Sequence, residues 1–238
     1  MTITVIYGTE KHGVTYRLTQ FFLDCFGPDV TINRFFLPRD CPAFCSGCCS
    51  CFLKGEATCK DAAYIKKLRD GILAADLLVL ASPVYVFHAT AAMKNMLDHF
   101  GFQWMVHRPA AAMFSKRAVI ITQSIGAGQS STVKDMRDSL SWWGISHIGV
   151  FKMPLLEDIF WERISEKRRT LLEKNIRRLG QRTEKLCVQK ARPSLITKVK
   201  FSICRMMQKS VYSKNPSSFD AAYWKSQGWL EKQRPWKP

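Results

Sequence analysis

Ile3-Thr4-Val5-Ile6-Tyr7-Gly8-Thr9-Glu10-Lys11-His12-Gly13-Val14-Thr15-Tyr16 passes from a β-branched apolar run through a turn into residues at helical spacing. Ile3–Tyr7 predicts a strand buried on both faces. Val14, Leu18, Phe21, Phe22 and Cys25 fall near one helical face, and Gly27-Pro28 ends it. The turn between them has the chemistry of an anion site. Gly8 and Gly13 permit tight backbone, Thr9 and Thr15 bring hydroxyls, and Lys11 brings a positive charge. The helix that follows points its free amides and dipole at whatever sits there. No Gly-Lys-Ser/Thr follows and the Gly-x-Gly-x-x-Gly pattern is absent, so neither common nucleotide fingerprint applies.

The alternation continues outward. Val30–Leu37, Leu77–Ala81, Ala118–Thr122 and Ile145–Phe151 read as strands two to five. Helical spacing covers 62–75, with Asp76 expected as its cap, then 89–100, 131–143 and a charged stretch over 162–190. Near-continuous apolar strands joined by helices predict a doubly wound five-stranded parallel sheet, covered on both faces. Ligands in such sheets bind at the carboxyl ends of the strands. Strand three ends in Ser82-Pro83-Val84-Tyr85-Val86-Phe87-His88, a rigid ledge with aromatics that suit a planar ring. Strand four ends in Ser124-Ile125-Gly126-Ala127-Gly128, where two glycines let the backbone approach a ligand.

The length of 238 residues suits one domain with an extension. Arg192-Pro193 marks the expected boundary, giving a sheet domain over 1–190 and a basic, aromatic C-terminal helical extension over 191–238. The overall charge of +17 is uneven: residues 161–238 hold 20 Lys/Arg against 6 Asp/Glu. A basic patch can meet nucleic acid, lipid or an acidic protein, but no nucleic-acid motif accompanies it, and nucleic-acid binding is not expected. The N-terminus has no basic segment followed by a long apolar one, and no run of about 18 apolar residues occurs. A cytoplasmic protein is therefore expected.

Together the three loops resemble those of the flavodoxin-like NADPH-dependent FMN reductase family, including its iron–sulfur flavoproteins. The resemblance rests on Gly8-Thr9-x-Lys11-x-Gly13-x-Thr15-Tyr16, on Ser82-Pro83-Val84-Tyr85 with Met93-Lys94-Asn95-Met96-Leu97-Asp98 after it, and on Gly126-Ala127-Gly128. It implies that Thr9, Lys11, Gly13 and Thr15 hold an FMN phosphate. It implies that Ser82, Pro83, Val84, Tyr85 and Val86 form the isoalloxazine loop, and that Ser124, Gly126 and Gly128 close the other side. Lys11 stands where the family often has Arg, which keeps the charge but loses the bidentate fork. NAD(P)H would be the electron donor, and a quinone, a flavin or another small molecule or redox protein the acceptor. The flavin carries the hydride chemistry, so no catalytic side chain is expected.

Six of the nine cysteines lie within Cys41–Cys59. Without a secretory signal, clustered thiols point to metal or redox chemistry rather than disulfides. Cys45, Cys48, Cys51 and Cys59 have the C-x2-C-x2-C-x7-C spacing, similar to the compact motif of the iron–sulfur flavoproteins. That likeness implies a 4Fe–4S cluster; zinc and free thiols are the other chemistries these residues fit.

In the extension, Leu195, Ile196, Val199, Ile203, Met206 and Met207 share a helical face with basic residues around it. Such a helix can lie on an anionic membrane, but burial against its own domain or a partner chain is the stronger expectation. Tyr223-Trp224 and Gly228-Trp229 add aromatics of the type found at interfaces, so a homodimer or larger assembly is expected. The five histidines show no metal-ligand spacing among themselves.

Overall fold

The computed structural model describes residues 1–237. Five parallel strands form one sheet in the order β2-β1-β3-β4-β5: β1 Thr2–Tyr7, β2 Thr31–Phe36, β3 Leu77–Ala81, β4 Arg117–Ser124 and β5 His147–Pro154. This is the flavodoxin-like order, with its switch point between β1 and β3. Side chains alternate between the two faces. Ile6, Leu78, Leu80 and Ile120 point to α3 (Ala62–Ala74), α4 (Ala91–His99) and α5 (Gln129–Trp142). Ile3, Val5, Leu77, Val79, Val119 and Ile121 point to α1 (Val14–Leu23) and α6 (Glu166–Cys187). Burial on both sides explains why strands one, three and four read as unbroken apolar runs.

Several boundaries differ from expectation. β5 extends to Pro154 because it pairs along β4 as far as Ser124↔Pro154. The stretch expected as one helix over 162–190 opens with a short 3-10 turn at Trp161–Arg163, and α6 begins only after Ser165. The Ser165 hydroxyl accepts from the Arg168 amide at 3.3 Å, an N-cap that sets the start. Asp76 does not cap α3; its carboxylate accepts the Thr2 amide at 2.8 Å and so steadies the start of β1. The end of α3 is met by buried Lys116, whose Nζ donates to the carbonyls of Leu73, at 2.8 Å, and Ala75. The cysteine loop contains a short helix, α2 (Ser50–Lys54), and a 3-10 turn at Glu56–Thr58.

The extension forms α7 (Leu195–Lys214) and α8 (Phe219–Ser226). Phe201, Cys204, Trp224, Trp229 and Leu230 join Met105 and Phe114 of the sheet domain in a third apolar cluster. Phe201 stacks on Trp224 at 4.9 Å between centroids and meets Trp229 edge-on at 5.5 Å. The face of α7 expected to be covered by its own domain or a partner chain is not covered by the domain: α7 buries Thr197, Phe201, Cys204 and Gln208 there instead. Leu195 and Ile196 are 76% and 71% exposed, and Val199, Ile203, Met206 and Met207 are exposed beside them. Both faces of α7 carry apolar residues, and the one that meets the aromatic cluster is the one that packs.

Candidate cofactor site and cysteine centre

The first loop leaves β1 at Gly8. Its amide donates to Ala81 O at 2.7 Å and its carbonyl accepts from Thr90 Oγ1 at 2.7 Å. A Cβ here would lie 2.8 Å from Thr90 Oγ1 and 2.9 Å from Ser82 Oγ, so only glycine lets β1 pass this close to the second loop. Gly13 occupies the N-cap position of α1 in extended backbone, with no side chain capping the helix and no acidic residue in its first turn. Among the described residues, the amides at that end are thus not claimed by a cap and carry the helix's positive end. Thr15, nearly buried, accepts from Gln123 Nε2 at 2.9 Å, which leaves its hydroxyl hydrogen free to donate to a ligand. Lys11 is exposed above the turn.

The second loop is a tight turn. Tyr85 N donates to His88 O at 2.8 Å and His88 N to Tyr85 O at 3.0 Å, with Val86 and Phe87 at φ of 48° and 66°. A β-branched residue in the left-handed region is strained, and such strain concentrates at ligand sites. Asp135 of α5 holds the loop: its carboxylate accepts from Ala89 N at 3.0 Å and meets His88 Nδ1 at 3.0 Å. Ser82 lies buried behind the ledge, where its Oγ accepts from Thr90 N at 3.2 Å. In the third loop, Gln129 Nε2 donates to Ser124 Oγ at 2.8 Å and to Gly126 O at 3.1 Å. Gly126 is open to solvent, whereas Gly128, at φ 94°, packs against the second loop. A Cβ there would come within 2.6 Å of Val84 Cγ1 and 2.8 Å of Phe87 Cα.

The loops enclose a cavity of about 360 Å³, within the range of small-molecule sites. Thr9, Lys11, Gly13 and Thr15 line its base, Pro83, Val84 and Tyr85 one wall, and Ser124 the other. Ser82, Val86, Gly126 and Gly128 stand outside this lining: Ser82 and Gly128 brace the loops, and Val86 projects from the rim, 92% exposed. Val14, Gln123, Ile125, Ile159 and Phe160 complete the lining without having been expected there. Ile159 and Phe160 follow β5 and reach the site only because that strand runs on to Pro154; no local pattern marks them. The donor set and the glycine approach fit a phosphate with a flat apolar group beside it.

The four cysteines expected as ligands, Cys45, Cys48, Cys51 and Cys59, line one small cavity, together with Cys49, Asp61 and His99. Asn95 of α4 fastens this loop, accepting from Cys45 N at 3.0 Å and donating to Ala43 O at 2.9 Å. His99 Nε2 lies 3.0 Å from the same carbonyl. The donor atoms of Cys59, Asp61 and His99 fall within 4.8 Å of one another, and buried Asp61 Oδ2 has no hydrogen-bond partner. His99 and Asp61 were not legible as a pair, because α4 and the loop meet only in three dimensions. Burial raises the Cys51 thiol, with Cys59 and Cys45 adding to the effect. The exposed Cys48 thiol is lowered by the Ser50 hydroxyl. All nine cysteines are free.

A doubly wound sheet of flavodoxin-like order, with an anion turn at its switch point and a ring-sized apolar slot beside it, defines the flavodoxin-like class of nucleotide-cofactor proteins. Within that class the chain belongs to the NADPH-dependent FMN reductase family, whose model matches residues 1–154. It is 33% identical over 110 residues to an iron–sulfur flavoprotein of Archaeoglobus fulgidus, an alignment covering 44% of this chain and 46% of that protein. It is 36% identical over 117 residues to an NADPH azoreductase of a Bacillus species, covering 48% and 57%. The chain thus spans about half the length of the curated relatives it matches. The solved azoreductase of Bacillus anthracis superposes with a TM-score of 0.61 at 13% identity, covering 76% of this chain and 99% of that one. An NAD(P)H:quinone oxidoreductase of Methanothermobacter marburgensis gives 0.59 at 14% identity, covering 77% and 97%.

Proposed function

We propose that this chain is an FMN-dependent NAD(P)H oxidoreductase that delivers electrons to a quinone, a flavin, an azo compound or a similar small acceptor. The observation that carries this reading is the cavity where the uncapped end of α1 and the Pro83–Tyr85 wall converge. Thr9, Thr15 and the α1 amides would hold the phosphate and Lys11 would neutralise it. Pro83, Val84 and Tyr85 would position the ring, with Asp135 and Gly128 keeping that wall in place. FMN when bound supplies the acceptance of hydride and its onward passage as electrons. The residues supply orientation, electrostatics and exclusion of water.

Around the mouth, Tyr85, Val86, Phe87, Ile125, Leu156, Ile159 and Phe160 are all exposed. An apolar rim of this kind favours a second copy covering the open side, so the proposed active unit is at least a homodimer. The finer proposal is a 4Fe–4S cluster on Cys45, Cys48, Cys51 and Cys59, supported by their shared cavity and by the name of the Archaeoglobus relative. A spectrum of anaerobically purified protein tests both parts. Flavin bands bleached by NADPH or NADH are expected, with broad absorption beyond them and about four irons per chain. Flavin that no nicotinamide bleaches would instead favour an electron carrier working between protein partners. Reconstituted protein without iron would return the thiols to structural or redox-responsive roles.

A further inference from the structure

We propose that α7 docks this protein on an anionic lipid surface. Leu195, Ile196, Val199, Ile203, Met206 and Met207 fall within roughly 120° of the helix circumference at 3.6 residues per turn, and all are exposed. The opposite face, Phe201, Cys204 and Gln208, is buried in the third cluster, so the helix is held rigidly with its apolar side outward. A contiguous apolar face on an otherwise folded surface marks an interaction site.

The charges choose the occupant. α7 carries Lys198, Lys200, Arg205, Lys209 and Lys214 and no acidic residue. Lys198 and Lys209 border the apolar stripe on one side and Lys214 closes its C-terminal end, while the Lys200 ammonium turns back to Ser141 and the Trp142 ring and takes no part in the fringe. Glu231, the carboxylate that Lys209 influences, is already paired with Lys225. An isologous contact between two copies would set this basic fringe against itself. An anionic bilayer meets both features at once: the fringe finds lipid charge and the stripe enters the headgroup boundary. The Thr197 hydroxyl accepts from Ser146 Oγ at 2.8 Å, just before β5, at the end of the sheet opposite the flavin loops. Docking therefore leaves the cofactor cavity and its apolar rim turned away from the bilayer.

Co-sedimentation of the full chain with phosphatidylcholine vesicles, with and without phosphatidylglycerol, tests this. Binding to the anionic vesicles is expected, at least about tenfold weaker to neutral ones or in about 0.5 M salt, where screening is strong. A triple variant, Ile196→Ser, Ile203→Ser and Met206→Gln, touches only exposed positions and should keep the melting temperature. It should bind anionic vesicles at least about tenfold more weakly, as should Lys198→Glu with Lys209→Glu. Absence of wild-type binding, or equal binding by the triple variant, overturns the proposal. So does an oligomer that the triple variant dissociates, which would assign the face to a second copy.

Discussion

Arg108 and Asp220 are bonded across the junction between the sheet domain and the C-terminal extension. One guanidinium nitrogen donates to Asp220 and the other to the carbonyl of Cys51, and Glu56 lies 3.4 Å away. His107 Nδ1 meets the second Asp220 oxygen at 2.7 Å. Arg108 is buried, so one side chain couples the extension to the cysteine loop.

Removing Arg108 takes away the buried half of the pair and leaves the half-buried Asp220 carboxylate with His107 alone. Arg108→Ala is expected to cost about 1–3 kcal/mol and to expose the extension to protease. Urea denaturation and limited proteolysis check this. The apolar pair Arg108→Met with Asp220→Leu should recover much of the stability, because it removes both charges together.

FMN binding should depend on the first loop. Thr15→Ala with Lys11→Ala removes the two side chains proposed to meet the phosphate, each contact worth about 1.5–3 kcal/mol when charge-assisted. The dissociation constant, followed by flavin fluorescence, should rise at least about tenfold while the far-ultraviolet circular dichroism stays the same.

Gly128→Ala should weaken FMN without touching it. The new Cβ meets Val84 and Phe87, and a φ of 94° is unfavourable for alanine. The expected strain is about 1–3 kcal/mol, relieved by shifting the second loop. A crystal structure showing Val84 and Phe87 unmoved would contradict it.

Thiol reactivity should rank by environment. In protein freed of any metal, Cys48 is exposed and its pKa lowered by Ser50, so it should alkylate first near neutral pH. Cys41 and Cys204, each pushed up to about 11 by burial, should react last. Mass spectrometry of a brief iodoacetamide pulse reads the order.

Cys204 also predicts alkaline behaviour. Its folded value of about 11 lies above the ordinary 9.0, so between these pH values the unfolded chain binds fewer protons. Stability from this group is complete below pH 9 and is lost as pH rises towards 11, by at most about 1.4 kcal/mol per pH unit. Cys204→Ala should flatten the fall in urea midpoint over that interval.

What the sequence by itself determined is what short-range chemistry controls. The five strands, their parallel alternation with helices and the Gly8–Gly13 anion turn depend on apolar runs, helical spacing and glycines a few residues apart. So does the thiol cluster, whose spacing is local. The tertiary structure alone decided which distant residues complete these features. Gln123 positions Thr15 across two strands, Asp135 anchors the second loop from α5, and Ile159 and Phe160 enter the cavity from beyond β5. It also decided which side of α7 is buried. Periodicity marks only the aliphatic face there, and the fold alone shows that Phe201, on the other side, finds Trp224 and Trp229 waiting. Packing three large rings together buries more area and gains favourable ring geometry, so that face turns inward and the aliphatic one is left facing out.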